Sequence, residues 1–356
     1  MTDNDLILDV KDLSVSFKCK NGKINVVRNI SYQLKRGSVL AIVGESGSGK
    51  SVTVKSIMGM LDDNAVIDSG SINFYDRDEQ SGEIKSTDIL KLKKNQIIRE
   101  INGKKAAMIF QDPLTVLNPT MTIGNQIIEG IRAHKKISKK EALDKARELL
   151  DYVGICDVDK RLKQYPHQLS GGMRQRVVIA IALALDPEIL ICDEPTTALD
   201  VTVQAKIVEL IQSIQKERNL SVIYITHDLG VVANIADYVA VMYAGKIVEY
   251  GTACEVFLKP ANPYTWGLLM SVPDIEYREE SLYSIPGNPP DLTVPVVGDA
   301  FAIRNEYALD VDYEKEPPEY RLSDTHTVHS WLYDKAAPKI SMPDKLAGLI
   351  QRMEVA

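Results

Sequence analysis

The sequence predicts an α/β fold: a parallel sheet covered by helices, preceded by an antiparallel β layer and interrupted by an inserted helical block. Three observations carry this. The apolar run Val39-Leu40-Ala41-Ile42-Val43 leads into a glycine-rich loop and then a helical pattern. Strand-like and helical patterns alternate from residue 189 to residue 242. Between them, residues 122–169 carry helical periodicity alone.

Taken in order, Leu6-Ile7-Leu8-Asp9-Val10, Leu13-Ser14-Val15-Ser16-Phe17 and Ile30-Ser31-Tyr32-Gln33-Leu34 read as short antiparallel strands separated by turns. After the loop at 44–51, Val54, Ile57, Met58 and Leu61 fall at i, i+3, i+4 and i+7, one face of a helix. Gly70-Ser71 reads as a turn before a strand at 72–75. The charged stretch 76–105, with Asp78-Glu79-Gln80-Ser81-Gly82, reads as an exposed hairpin or loop, and 106–110 returns to the core. Ser138-Lys139-Lys140-Glu141 is a capping box, followed by an apolar face of Ala142, Leu143, Ala146, Leu149, Leu150 and Val153. Strand and helix then alternate at 189–192, 201–215, 222–225, 230–236 and 238–242. Past Gly251 the chain becomes rich in proline and tyrosine, with Pro286, Pro289-Pro290, Pro295 and Pro317-Pro318. No internal repeat or low-complexity segment interrupts it.

Composition excludes several classes. The 356 residues can hold a full nucleotide-binding domain and an appended segment, and 45% hydrophobic with 26% charged residues is a globular balance. No apolar stretch approaches the about 20 residues a membrane helix needs. The acidic start, Met1-Thr2-Asp3-Asn4-Asp5, lacks the apolar core of a secretory signal, so a membrane role is expected to run through another protein. A net charge of −7 argues against a nucleic-acid partner. Cys19, Cys156, Cys192 and Cys254 form no C-x-x-C pair, and Cys192 reads as a small core residue in a reducing compartment.

Gly44-Glu45-Ser46-Gly47-Ser48-Gly49-Lys50-Ser51 spells G-x-x-x-x-G-K-S after a buried strand and before a helix. Glycines let the backbone approach phosphate oxygens, and successive N–H groups form an anion nest. Lys50 supplies a point charge for the β- and γ-phosphates, and the Ser51 hydroxyl suits Mg²⁺. A bound nucleoside triphosphate is the reading. Ile189-Leu190-Ile191-Cys192 ends in Asp193 and Glu194, suited respectively to an outer-shell Mg²⁺ ligand and to a base for the attacking water. Ser170, Gly171 and Gly172 open a helix over 177–185, a second anion site. One γ-phosphate does not need two such sites in one chain.

These motifs, with Ala198-Leu199-Asp200 and Ile225-Thr226-His227-Asp228, stand in the order of the ATP-binding-cassette ATPases, and residues 6–260 closely resemble that family. The resemblance implies a RecA-like P-loop ATPase core. It implies a nucleotide-binding domain over 1–255, with a helical subdomain at about 112–170, and an extension over 256–356. ATP contacts are then expected from Phe17, Gly44, Ser46, Gly47, Ser48, Gly49, Lys50, Ser51, Val52, Gln111, Asp193, Glu194 and His227. Mg²⁺ is expected at Ser51, Gln111 and Asp193, and catalysis from Glu194, His227, Gln111 and Lys50. Phe17 is implied to stack on adenine, although a Phe ending an alternating strand also suits a core. Ser170, Gly171, Gly172 and Gln175 are implied to meet the nucleotide of a partner ATPase, with Asp200 coupling the two sites.

Phe110-Gln111-Asp112-Pro113-Leu114-Thr115-Val116-Leu117-Asn118-Pro119, Tyr165-Pro166-His167-Gln168, Asn262-Pro263-Tyr264-Thr265 and Ile285-Pro286-Gly287-Asn288-Pro289-Pro290 resemble the D-type ATPase of the oligopeptide/dipeptide importers. That implies a heterodimer with a paralogous second ATPase, two membrane permeases and an extracytoplasmic peptide-binding protein, at the cytoplasmic face of the membrane. Leu114, Val116, Leu117 and Met121 are candidates to receive a permease helix, or equally to pack their own subdomain. Many members hold an iron–sulfur cluster on cysteines of the extension. Here Asp299, Asn305 and Asp312 stand at those positions and Ser330 at the fourth, so no cluster is expected. His326 and His329 read as surface residues rather than a metal pair. Dipeptide or nickel import is the alternative within the family. A soluble cassette ATPase acting in DNA repair or on ribosomes is the alternative outside it; the first is disfavoured by the lack of sustained heptads between Ser51 and Ser170 and the second by the single cassette. A weakly hydrolysing, regulatory subunit is a third, opposed by Glu194 and His227.

Overall fold

The computed structural model describes residues 5–20, 22–77, 84–197, 199–272 and 283–353, apart from the side chain of Leu114. Two compact units divide the chain, one of Met1–Ile7, Leu34–Ser38 and Ile89–Ile225, the other of Leu8–Gln33, Val39–Asp88 and Thr226–Ala356.

In the first unit, strands Ala106–Ile109, Ile189–Asp193 and Ser221–Thr226 run parallel, with Ile109 opposite Cys192 and Ile191 opposite Ile223. Every residue in them is buried, as continuous apolar strands covered on both faces must be. Helices Ile123–His134, Lys139–Tyr152 and Gly171–Leu183 supply the helical block. The capping box forms: Glu141 N–H donates to Ser138 Oγ at 3.2 Å, and Ser138 N–H to Glu141 Oε2 at 2.7 Å. Asp200 caps the start of Val201–Arg218, and Asn219 closes it in the left-handed region. The charged stretch is only partly open. Asp78-Glu79-Gln80-Ser81-Gly82 lies outside the described residues, whereas Ile89 and Ile101 are buried in short helical turns.

The second unit carries an antiparallel sheet in the order Gly22–Lys35, Leu6–Cys19, Ala65–Arg77, Ile84–Asp88. The two N-terminal strand patterns are one strand. Asp12 at φ 50° and a register break between Lys11 and Ser14 make a bulge where the sequence suggested a turn. Gly70 is not a turn either; it lies inside Ala65–Arg77 at φ 103°, where a Cβ would stand 2.6 Å from Leu13 Cα. The loop helix, Lys50–Ile57, ends before reaching Leu61.

Val39–Val43 lies parallel to Tyr238–Tyr243, with Ile42 opposite Ala240. Lys246–Thr252 continues antiparallel, then Thr327–His329 and Glu319–Arg321, so the proline-rich tail returns to a sheet. Residue 255 sits within helix Ala253–Leu258, and its carboxylate accepts bonds from Ser323 and Thr325. Glu249, fully buried, accepts from Ala261 N–H at 2.7 Å and Asn262 N–H at 2.9 Å, and pairs with His326 Nε2 at 2.8 Å. His326 is therefore a core residue, correcting its expected surface position, because it is the partner that the carboxylate's burial demands.

Candidate functional site

In the second unit, strand Val39–Val43 delivers the chain into the glycine loop. Gly44 takes φ 147°, and a Cβ there would lie 2.0 Å from the Met242 carbonyl oxygen; at Gly49, φ 100°, it would lie 2.7 Å from that of Val26. Gly47, φ 79°, has open space around it. Two glycines are thus required by neighbouring backbone and the third by conformation alone. Lys50 is buried, and its Nζ donates to the Gly44 and Glu45 carbonyls at 2.8 Å each, drawn back along the loop. Ser48 is buried beneath the loop, Ser46 and Gly47 are exposed, and Ser51 and Val52 are half-buried in the first helical turn. Phe17 is half-buried on its strand opposite Ala65, outside the fully buried core. His227 is exposed after Ser221–Thr226, ahead of Asp228, which accepts from Gly230 and Val231 N–H.

The first unit brings Gln111 and Glu194 together. Glu194 Oε2 accepts from Gln111 Nε2 and from Thr197 Oγ1, both at 3.0 Å. Glu194 sits at φ 47°, and its N–H donates to the Ile225 carbonyl at 3.0 Å. A non-glycine residue in the left-handed region costs on the order of 1–3 kcal/mol, a strain concentrated at functional sites. Asp193, the last residue of its strand, is buried. Thr197 was not singled out by sequence; its position three residues after Glu194, past a proline, is the only signal.

Ser170 caps Gly171–Leu183 through Met173 N–H at 3.3 Å. Gly172 is required where a Cβ would stand 2.7 Å from Val203 Cγ1. Gln175 departs from expectation: it is fully buried, so its amide faces the interior of this unit, while Ser170 stays exposed. Helical spacing turns a residue five places past the cap onto the inner face. Asp200 is exposed with Oδ1 accepting from Val203 N–H, and Ala198 lies outside the described residues. Of the docking candidates, Val116 is exposed, Met121 is half-buried, and Leu117, only 2% exposed, belongs to the core instead. The Leu114 side chain lies outside the described residues.

The four positions at which family members carry cysteines all bond to nearby backbone, three to the N–H two residues ahead and Asp312 to the N–H three residues before it. Asp299 Oδ1 accepts from Phe301 N–H at 3.0 Å, Asn305 Oδ1 from Tyr307 N–H at 3.0 Å, Asp312 Oδ2 from Leu309 N–H at 2.7 Å, and Ser330 Oγ from Leu332 N–H at 3.3 Å. Each is a side-chain oxygen closing a local turn. Thiolate chemistry is absent from this donor set, which does not fit an iron–sulfur cluster. Burial pushes the Asp299 carboxyl up to about 6, with Asp312 adding repulsion, and burial raises Asp312 as well. Among the described residues no group of three or more His, Cys, Asp or Glu forms a metal-binding cluster, and no helix is long and apolar enough to cross a membrane.

Comparison with known proteins places these features. Residues 27–197 match the ABC transporter family, and residues 248–311 match the oligopeptide/dipeptide transporter C-terminal region. The oligopeptide transport ATP-binding protein OppD of Bacillus subtilis is 52% identical over 348 residues, covering 98% of this chain and 94% of that protein. The dipeptide transport ATP-binding protein DppD of Lactococcus lactis is 51% identical over 349 residues, covering 98% and 97%. A solved dimeric ATP-binding cassette in a post-hydrolysis state, bound to ADP and Pi, is similar with a TM-score of 0.58 and 25% identity, over 69% of this chain and 98% of that one.

Proposed function

This chain belongs to the ATP-binding subunits of the ABC transporters, in their oligopeptide/dipeptide branch, and from that premise we propose that it hydrolyses ATP to energise the uptake of oligopeptides. One observation carries the reading: 52% identity to an oligopeptide transport ATPase runs through 98% of the chain, cassette and C-terminal region alike. The expected partners are membrane permeases. In the finer reading they are two permeases, a paralogous ATPase forming a heterodimer, and an extracytoplasmic peptide-binding protein, with this chain peripheral at the cytoplasmic face.

The residues take distinct roles in this proposal. Gly44 to Val52 cradle the triphosphate, Lys50 neutralises its β- and γ-oxygens, and Phe17 stacks on adenine. Ser51, Gln111 and Asp193 offer the hydroxyl, amide and carboxylate oxygens that suit Mg²⁺, which would spread the phosphate charge. Glu194 polarises the attacking water, and His227 steadies the γ-phosphate. The bonds from Gln111 and Thr197 support the Glu194 role, since they fix the orientation of the carboxylate that is to act on water. Ser170, Gly171 and Gly172 grip the partner's nucleotide, and Asp200 couples the two sites. Hydrolysis removes contacts made only with ATP, a difference that can drive opening. Residues 1–255 would form the nucleotide-binding domain and 256–356 the extension.

The test is reconstitution with permeases and binding protein in liposomes, measuring ATP hydrolysis with oligopeptides and with dipeptides. Stimulation by oligopeptides is expected. Stimulation by dipeptides alone favours the reading suggested by the 51% identical dipeptide relative. Glu194→Gln should retain ATP binding and lose about 10²–10⁴-fold in turnover; wild-type turnover would remove Glu194 from its role.

A further inference from the structure

Glu45, the first residue after Gly44 in the phosphate loop, is held at three places. Its N–H donates to Tyr264 Oη at 2.9 Å, and its carbonyl accepts from Lys50 Nζ at 2.8 Å. Its carboxylate takes both arms of Arg304, Nη1 to Oε2 at 2.6 Å and Nη2 to Oε1 at 2.9 Å. Arg304 has little freedom of its own. Its side chain is 4% exposed, its Nε donates to the Pro286 carbonyl at 2.8 Å, and Nη1 also reaches Tyr243 Oη at 3.2 Å. The guanidinium lies over the Tyr243 and Phe301 rings, at 5.7 and 5.9 Å from their centroids. Those rings pack with Tyr264 at centroid distances of 4.6–5.3 Å. A planar fork fixed on one side by aromatic packing offers the other as a rigid, bidentate carboxylate clamp.

We propose that Arg304, reaching from the C-terminal extension, is a positioning residue for the phosphate loop. It fixes Glu45, whose carbonyl in turn holds Lys50, and it neutralises a carboxylate that borders the triphosphate. No atom of Arg304 needs to touch nucleotide for this. The local turns at Asp299 and Asn305 set the segment that presents it, since Arg304 lies in the short helical turn Ala302–Arg304 between them. The inference rests on the reading of residues 44–51 as the ATP site.

The experiment is a double-mutant cycle on the full chain, reading ATP and ADP affinity by titration calorimetry with Mg²⁺ present. Arg304→Met should raise the ATP Kd about tenfold, because it leaves a half-buried carboxylate unpaired beside the phosphates. ADP, one phosphate shorter, should lose less. In a Glu45→Gln background the same Arg304 substitution should cost about twofold or less, since the charge it neutralised has gone. Additive losses would assign Arg304 a general structural role and overturn the proposal, as would wild-type affinity in folded Arg304→Met. If Arg304→Met does not fold, Arg304→Lys decides: the charge stays and the fork is lost, so a rise of about threefold is expected and no rise overturns it. Lys50→Ala separates the premise, because normal ATP binding by that variant would sink the phosphate-loop reading itself.

Discussion

Replacing Asp299 by asparagine isolates the cost of keeping a charge in the extension. Asp299 Oδ1 accepts the Phe301 N–H at 3.0 Å, and an asparagine Oδ1 accepts the same bond. Only the charge is removed. Burial pushes this carboxyl up to about 6 against the Phe301 bond; Asp312 and Glu316 repel it further, and Arg28 opposes them. An unfolded chain titrates the same carboxyl near 4. The folded state therefore binds the proton more tightly, so this group favours folding at acid pH and loses that contribution as pH rises through 6. Full burial would make the difference about 2–3 kcal/mol between pH 4 and pH 7.5; partial exposure lowers it to about 1–2 kcal/mol. At pH 7.5 Asp299→Asn should melt about 1–3 °C above the wild type, and at pH 4.5 the gain should largely vanish. Calorimetric melting of the full chain at both pH values measures this. Equal melting at pH 7.5, or a larger gain at pH 4.5, would refute the reasoning.

Gly44→Ala should cost far more than Gly47→Ala. A Cβ at Gly44 meets the Met242 carbonyl at 2.0 Å, whereas Gly47 has open space and only an unfavourable φ. About 1–2 kcal/mol is expected at Gly47 and more than 3 kcal/mol, with loss of ATP binding, at Gly44; similar melting of the two variants would contradict this. Glu249→Ala strands the Ala261 and Asn262 N–H groups and His326 in the core, and should cost about 3–5 kcal/mol by chemical denaturation. A loss below about 1 kcal/mol would mean that these donors find other partners.

What could be read from the sequence was whatever depends on near neighbours or on residue chemistry. Ser138 and Glu141 close their box across three positions. Apolar runs such as 189–192 became parallel, fully buried strands because nothing but burial suits them. The loop glycines were legible because phosphate approach and close backbone passage both exclude a Cβ. Periodicity failed where a bulge mimics a turn: Asp12 and Gly70 bend paired strands instead of ending them, and single-strand patterning does not distinguish the two. The burial of Gln175 and His326 was not legible either, because it depends on which side chains other segments bring.

Glu45 shows the limit most plainly. G-x-x-x-x-G-K-S leaves its second position open, because a phosphate asks nothing of that side chain. Ser46, at the next open position, is exposed and could vary on those terms, whereas Gly47 is held to glycine by its φ of 79°. Glu45 is different, since a guanidinium 259 residues later is folded into a pocket whose remaining requirement is a carboxylate. If Arg304 positions the loop as proposed, the acid at this open motif position answers to the extension and not to the nucleotide. On that reading, a chain with this loop and a different extension lacks this reason to carry an acid there. One with an arginine at the position of Arg304 has a strong one, because a buried guanidinium without a counter-ion costs more than any residue at Glu45 could return by solvation alone.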